Sequence, residues 1–142
     1  ATGSILGLNS TNLSQANLCR AVVEGTTFGL RYGLDLLRAN GIKSETVRLI
    51  GGGAKSAIWR QIVADVMDTP VICTEHSEAA ALGAAIQAAW CWSAENGQSQ
   101  SLQALCQRCV GLDASSETRP IPENVIAYQQ VYDRYRHYLR AL

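Results

Sequence analysis

Residues 49–56 read LIGGGAKS, three consecutive glycines followed by a lysine and a serine, directly after an apolar run. At a strand-to-helix turn such residues can hold phosphate or nucleotide. Glycine lets the backbone approach a ligand, and the unpaired N–H groups of a helix N-terminus attract anions. A phosphate loop of the form G-x-x-x-x-G-K-[ST] ending in Lys55 and Ser56 needs glycines where the chain has Leu49 and Ala54, so that arrangement is excluded. A dinucleotide turn, G-x-G-x-x-G, is met by Gly51 and Gly53 but has Ser56 in place of the third glycine, with Glu75 where an acidic ribose ligand would stand. A third arrangement lays the bare backbone of Gly52 and Gly53 against the flat face and sugar of a nucleotide, with Lys55 turned to solvent. A purely structural turn is the remaining alternative, and spacing alone leaves these last three open.

The elements around the turn follow from periodicity and breakers. Asn12 or Ser10 can cap a helix from about Leu13 to Ala39, stopped by Asn40-Gly41. Ala21, Gly25, Phe28, Tyr32 and Leu36 give it one apolar face, and the seam Gly25, Gly29, Gly33 predicts another backbone lying close against a buried helix. ETVRLIG reads as a strand ending in the glycine turn, Ser56 to about Asp68 as a helix, and PVICTE as a second strand, within the length of one crossover unit. Ser77 and Glu78 open an Ala-rich helix to about Ala94, predicted to be buried, in which Gly83 implies a close approach. Residues 96–121 form a loop-rich break holding one short helix. A last helix from about Pro122 aligns Val125, Tyr128, Tyr132, Tyr135, Leu139 and Leu142 as a docking face.

Composition narrows the function classes. The 142 residues suffice for one domain with a core, and 47% hydrophobic with 17% charged residues describes an ordinary globular protein. Twelve basic and twelve acidic residues give a formal net charge of zero, which offers no field for nucleic acid or anionic lipid. The apolar stretch Ala79–Ala94 is too short to span a membrane, and the first ten residues lack the pattern of a signal peptide. The absence of an initiator Met hints at a piece of something longer. Five cysteines, an odd number at apparent core positions, suit a reducing cytoplasm, and the pair Cys106/Cys109 reads as helix packing rather than a metal or redox site. The acids Glu24, Asp35, Asp65, Asp68, Glu75 and Glu78 read as helix caps or surface charges, with none spaced as a catalytic base.

Three ordered segments, GSILGLNSTNLSQANLCRAVVEG, LIGGGAKSAIWRQIVADVMDTPV and EAAALGAAIQAA, covering residues 3 to about 90, carry a resemblance to the FGGY carbohydrate kinases, most closely their xylulose kinase branch. The first looks like the family's second signature, the second like its adenosine-binding turn and following helix, and the third like the helix after the next strand. The resemblance implies an α/β fold, part of an actin-like (ribonuclease H-like) ATPase domain, helix-rich with a few strands, in which residues 1–142 are the C-terminal portion of the second domain. It implies transfer of the ATP γ-phosphoryl group to a sugar, D-xylulose by closest likeness, with ATP and Mg²⁺ as cofactors. The catalytic base, the phosphate loops, the metal ligands and most sugar contacts would then lie outside this chain. Carried over by position, the nucleotide sits at Gly52, Gly53 and Ala54, with Ser56 and Ala57 in the adjoining first turn of the helix. An Asn that several relatives place at Ala57 to bond the nucleoside has no counterpart here. Other sugars or polyols, a non-catalytic binding or assembly module, and a dinucleotide-dependent enzyme stay open, and a face left bare on a partial domain makes a homodimer one outcome.

Overall fold

The segment AIWRQIVADVM decides the architecture, because six consecutive residues, Ile62 to Met67, are all buried. A helix can bury so long a run only when it is covered on more than one side. The computed structural model, which describes residues 3–98 and 100–140, shows how this is achieved. Its elements are α1 (Gln15–Ala39), β1 (Val47–Leu49), a 3₁₀ turn (Gly52–Lys55), α2 (Ala57–Met67), β2 (Val71–Thr74), α3 (Ala79–Glu95), α4 (Leu102–Cys109), β3 (Leu112–Thr118) and α5 (Pro122–Leu139). The sheet has the order β1-β2-β3, with β1 parallel to β2 in the register Leu49 to Cys73, and β3 antiparallel to β2.

α2 lies between two apolar clusters. Val63, Ala64 and Met67 pack with Leu49, Ala54, Val71 and Cys73 on the sheet side, and Ile62 and Val66 pack with Phe28 of α1 and Tyr128 and Tyr132 of α5 on the helix side. Each fully buried side chain of this size contributes roughly 1.5–3 kcal/mol, so α2 is the principal source of cohesion. Polar contacts finish both of its ends. Ser56 caps the N-terminus by accepting from the Trp59 N–H, and Asp68 closes the C-terminus in a left-handed conformation at φ 47°. Arg31 and Arg38 of α1 donate to the carbonyls of Val66 (2.7 Å) and Met67 (3.2 Å), groups that a helix end leaves unpaired. Arg31 also lies over the Tyr132 ring, 4.4 Å from its centroid. Burial and the hydrogen bond to Asp35 push the Tyr132 hydroxyl up to about 12.

Asp65 ties α2 to α5. Its carboxylate, 2% exposed, accepts from the Ile121 N–H, Gln61 Nε2 and Asn124 Nδ2, each at 2.8 Å. A negative group at the start of α5 satisfies donors there and complements the positive helix end. The expected cap or surface role is therefore half corrected: Asp65 does serve a helix start, but one reached across the core, and it is buried.

Several expectations are revised. Ser14, accepting from the Asn17 N–H, caps α1 in place of Asn12 or Ser10. Only Thr27 and Phe28 of α1 are buried, Tyr32 and Leu36 are exposed, and among the described residues no backbone lies against the glycine seam: Gly25 and Gly33 face open space, as does Gly83 of α3, and Gly29 meets only the Tyr135 hydroxyl. α3 likewise buries only Ile86 and Ser93, with Ala79 and Leu82 half-buried. Of the cysteines only Cys73 is buried; Cys106 is half-buried beside buried Leu105, and Cys109 is exposed. The stretch 96–121 contains β3 as well as α4, so it is not mainly loop. β3 is polar, LDASSET, and is admitted to the sheet by a register irregularity at which the Ser116 hydroxyl accepts from the Cys73 N–H at 2.8 Å. α5 begins at Pro122 as expected and buries Tyr128 and Tyr132, while Leu142 lies outside the described residues.

Replacing Asp65 with Ala leaves three donors without their partner. Stability should fall by about 3 kcal/mol, measured as a lowered midpoint in urea unfolding.

Candidate nucleotide-binding site

β1 delivers the chain into the glycine turn, and α2 carries it away. Gly51 has φ 87°, a conformation that L side chains rarely adopt, and this reverses the backbone into the 3₁₀ turn. The Ala54 N–H donates to the Gly51 carbonyl at 3.1 Å and the Ser56 N–H to that of Gly53 at 2.9 Å. The turn therefore stands at the carboxyl end of a parallel strand, where ligands of open α/β sheets bind.

The five residues assigned to a nucleotide from sequence fall within this one turn but differ in what they offer. Gly52 is exposed, and a Cβ added there would meet nothing. Gly53 is glycine for another reason: a Cβ would lie 2.1 Å from Cζ3 of Trp59, so the indole covers one side of it. Ala54 is buried at 8% exposure in the sheet-side cluster, and its carbonyl accepts from Arg60 Nη1 at 2.8 Å, so it anchors the turn. Ser56 and Ala57 are exposed, with the Ser56 hydroxyl engaged in the cap.

Two cavities flank the turn. A groove of about 570 Å³ is walled by Val22 and Val23 of α1 and Ile58, Trp59 and Ile62 of α2, and takes in Gly53, Ser56 and Arg20. Such a volume suits a small-molecule ligand. Arg20 is held by Glu24 (2.6 Å) and donates to the Tyr128 hydroxyl (2.6 Å), which in turn donates to Glu24 (2.9 Å). The hydrogen bond to Glu24 foremost raises the guanidinium above its ordinary value; the side chain is a cation in any case. Burial chiefly raises the Tyr128 hydroxyl, keeping it a neutral donor. A second cavity, about 230 Å³, lies among Lys55, Arg60, Glu75, Ser77 and Asp113. Gly51 shares this second cavity with Glu75, whereas Gly53 lines the groove. Lys55 is exposed, as expected. The α1 wall and Trp59 were not legible as site residues; a large aromatic six positions after the last glycine was the available signal.

The C-terminal domain of the FGGY family of carbohydrate kinases matches residues 1–92. The chain belongs to this family. Among relatives of known activity, the xylulose kinase of Haemophilus influenzae is 51% identical over 98% of the chain, which corresponds to 27% of that enzyme. The solved structures of a ligand-bound xylulose kinase and of a gluconate kinase, both from Lactobacillus acidophilus, each superpose with a TM-score of 0.83 at 27% identity, covering the whole chain and 27% of theirs. The fold is accordingly a part of the actin-like ATPase architecture of FGGY kinases, helix-rich with a small mixed sheet. The chain spans about a quarter of the length of the curated relatives it matches.

The three glycines of this FGGY turn should respond differently to alanine in urea unfolding. Gly52→Ala leaves the midpoint unchanged, Gly51→Ala costs about 1 kcal/mol through its positive φ, and Gly53→Ala costs about 2 kcal/mol because Trp59 must move. Only the last should shift the tryptophan emission.

Proposed function

We propose that the chain is the adenosine-holding part of a cytoplasmic, ATP-dependent sugar kinase, which transfers the γ-phosphoryl group of ATP to D-xylulose to give D-xylulose 5-phosphate and ADP. The observation that carries this reading is the uncovered Gly52 backbone at the end of β1, beside the N-terminus of α2 and an apolar groove, in a chain of the FGGY family. The nucleoside would lie along Gly52 and Gly53 with Ser56 and Ala57 beside it, its ring in reach of the apolar wall. Ala57 has no side-chain polar group, so the contact there is made by backbone and by shape, and discrimination among purines is modest. The choice of xylulose rests on the name of the 51% identical relative. The equal likeness to a gluconate kinase structure keeps gluconate as the second substrate to test.

In-line phosphoryl transfer needs positioning, neutralisation of the phosphates and a carboxylate for the hydroxyl proton. This chain contributes positioning. Mg²⁺, arriving with the triphosphate, would supply charge neutralisation. Among the described residues no group of three or more His, Cys, Asp or Glu side chains gathers to hold a metal. In this reading the metal and phosphate contacts come from other parts of a longer parent protein. Among those residues, too, no helix is long and apolar enough to cross a membrane. Without the opposite wall of the cleft the affinity of the chain alone should be low.

Equilibrium dialysis of the 142-residue chain against ATP and NAD should show retention of ATP in preference to NAD, and no turnover with ATP, Mg²⁺ and D-xylulose. Preference for NAD, or turnover by the chain itself, would contradict the reading. Gly52→Val should abolish ATP retention while leaving the urea midpoint within about 0.5 kcal/mol of the original.

A further inference from the structure

The indole of Trp59 is used twice. One face lies on Gly53, so close that a Cβ there would stand 2.1 and 2.4 Å from Cζ3 and Cε3. Its Nε1–H donates to Thr27 Oγ1 on α1 at 3.1 Å. Thr27 is fully buried, and its own hydroxyl proton goes to the Val23 carbonyl at 2.8 Å, which orients a lone pair toward the indole. Trp59 also packs against both apolar clusters, and its backbone N–H is the one that Ser56 caps.

We infer that Trp59 is a positioning residue for the nucleotide turn, and that Thr27 sets where the indole, and therefore the Gly52–Gly53 backbone, stands. This rests on the nucleotide reading proposed above. The physical basis is steric and polar together. The indole blocks movement of Gly53 toward α1, and the buried hydrogen bond stops the indole from rotating away, because a rotated ring leaves its N–H unpaired. The turn is thereby held on its other side too, where Arg60 grips the Ala54 carbonyl. The site's geometry becomes a property of the α1–α2 packing rather than of the glycine loop alone.

The test replaces Thr27 with Val, which keeps the branched shape and removes the acceptor, and with Ser, which retains it. Two quantities are read on the 142-residue chain: amide exchange at 52–56 without ligand, and the ATP dissociation constant by equilibrium dialysis. Thr27→Val should speed exchange at 52–56 about tenfold more than in α5 and weaken ATP binding about tenfold, with Thr27→Ser close to the original on both. Where Thr27→Val does not fold, Trp59→Phe takes its place, since it keeps a ring over Gly53 but loses the N–H, and the same two shifts are expected. Exchange that rises equally in the turn and in α5, or ATP binding that is unchanged while the original chain binds, overturns the inference alone. No ATP binding by the original chain overturns the nucleotide reading and this inference with it.

Discussion

Burial of α2 on two sides is the constraint on which the rest of the structure depends. One face meets the sheet through Val63, Ala64 and Met67, the other meets α1 and α5 through Ile62 and Val66. Where its last turn is buried, at Val66 and Met67, the neighbouring elements must supply partners for the carbonyls. Arg31 and Arg38 do so at the C-terminus, and the Asp65 carboxylate spends its own capacity on the start of α5. Two helices, α1 and α5, and two parallel strands are thereby fixed relative to one helix of eleven residues.

The glycine turn inherits its rigidity from this packing. It is attached to α2 by the Ser56 cap, pinned through Arg60 to the Ala54 carbonyl, and covered at Gly53 by Trp59. What is left free is the exposed backbone of Gly52, next to Gly53, which lines the apolar groove together with Arg20. An arrangement of this kind can orient a nucleoside without polar side chains, since most of the ordering cost has been met during folding. Among the described residues no three His, Cys, Asp or Glu side chains gather to hold a metal, and the chain spans about a quarter of the curated relatives it matches.

Legibility from sequence varied with how local the deciding physics was. The segment 47–74 was readable as strand, glycine turn, helix and strand because periodicity, the Ser56 cap and the Thr69-Pro70 stop are all written in adjacent residues. The polar strand β3 was missed, because LDASSET has no alternating apolar pattern and joins the sheet through a serine hydroxyl at a register irregularity. The burial of α1 and α3 was overestimated from their small and apolar residues: those residues permit close packing, but whether a neighbour arrives is not decided within the helix.

By itself the sequence determined the family, the order of most elements and the position of the turn, since ordered motifs and helix signals depend on residues near one another along the chain. Only the tertiary structure decided what each glycine is for. Gly51 needs a positive φ, Gly53 makes room for an indole from the next helix, and Gly52 has neither a positive φ nor a neighbour that a Cβ would meet. Three identical letters are separated by contacts from residues that meet them only in space, and for that reason LIGGGAKS reads as one motif in the sequence and as three different sites in the fold.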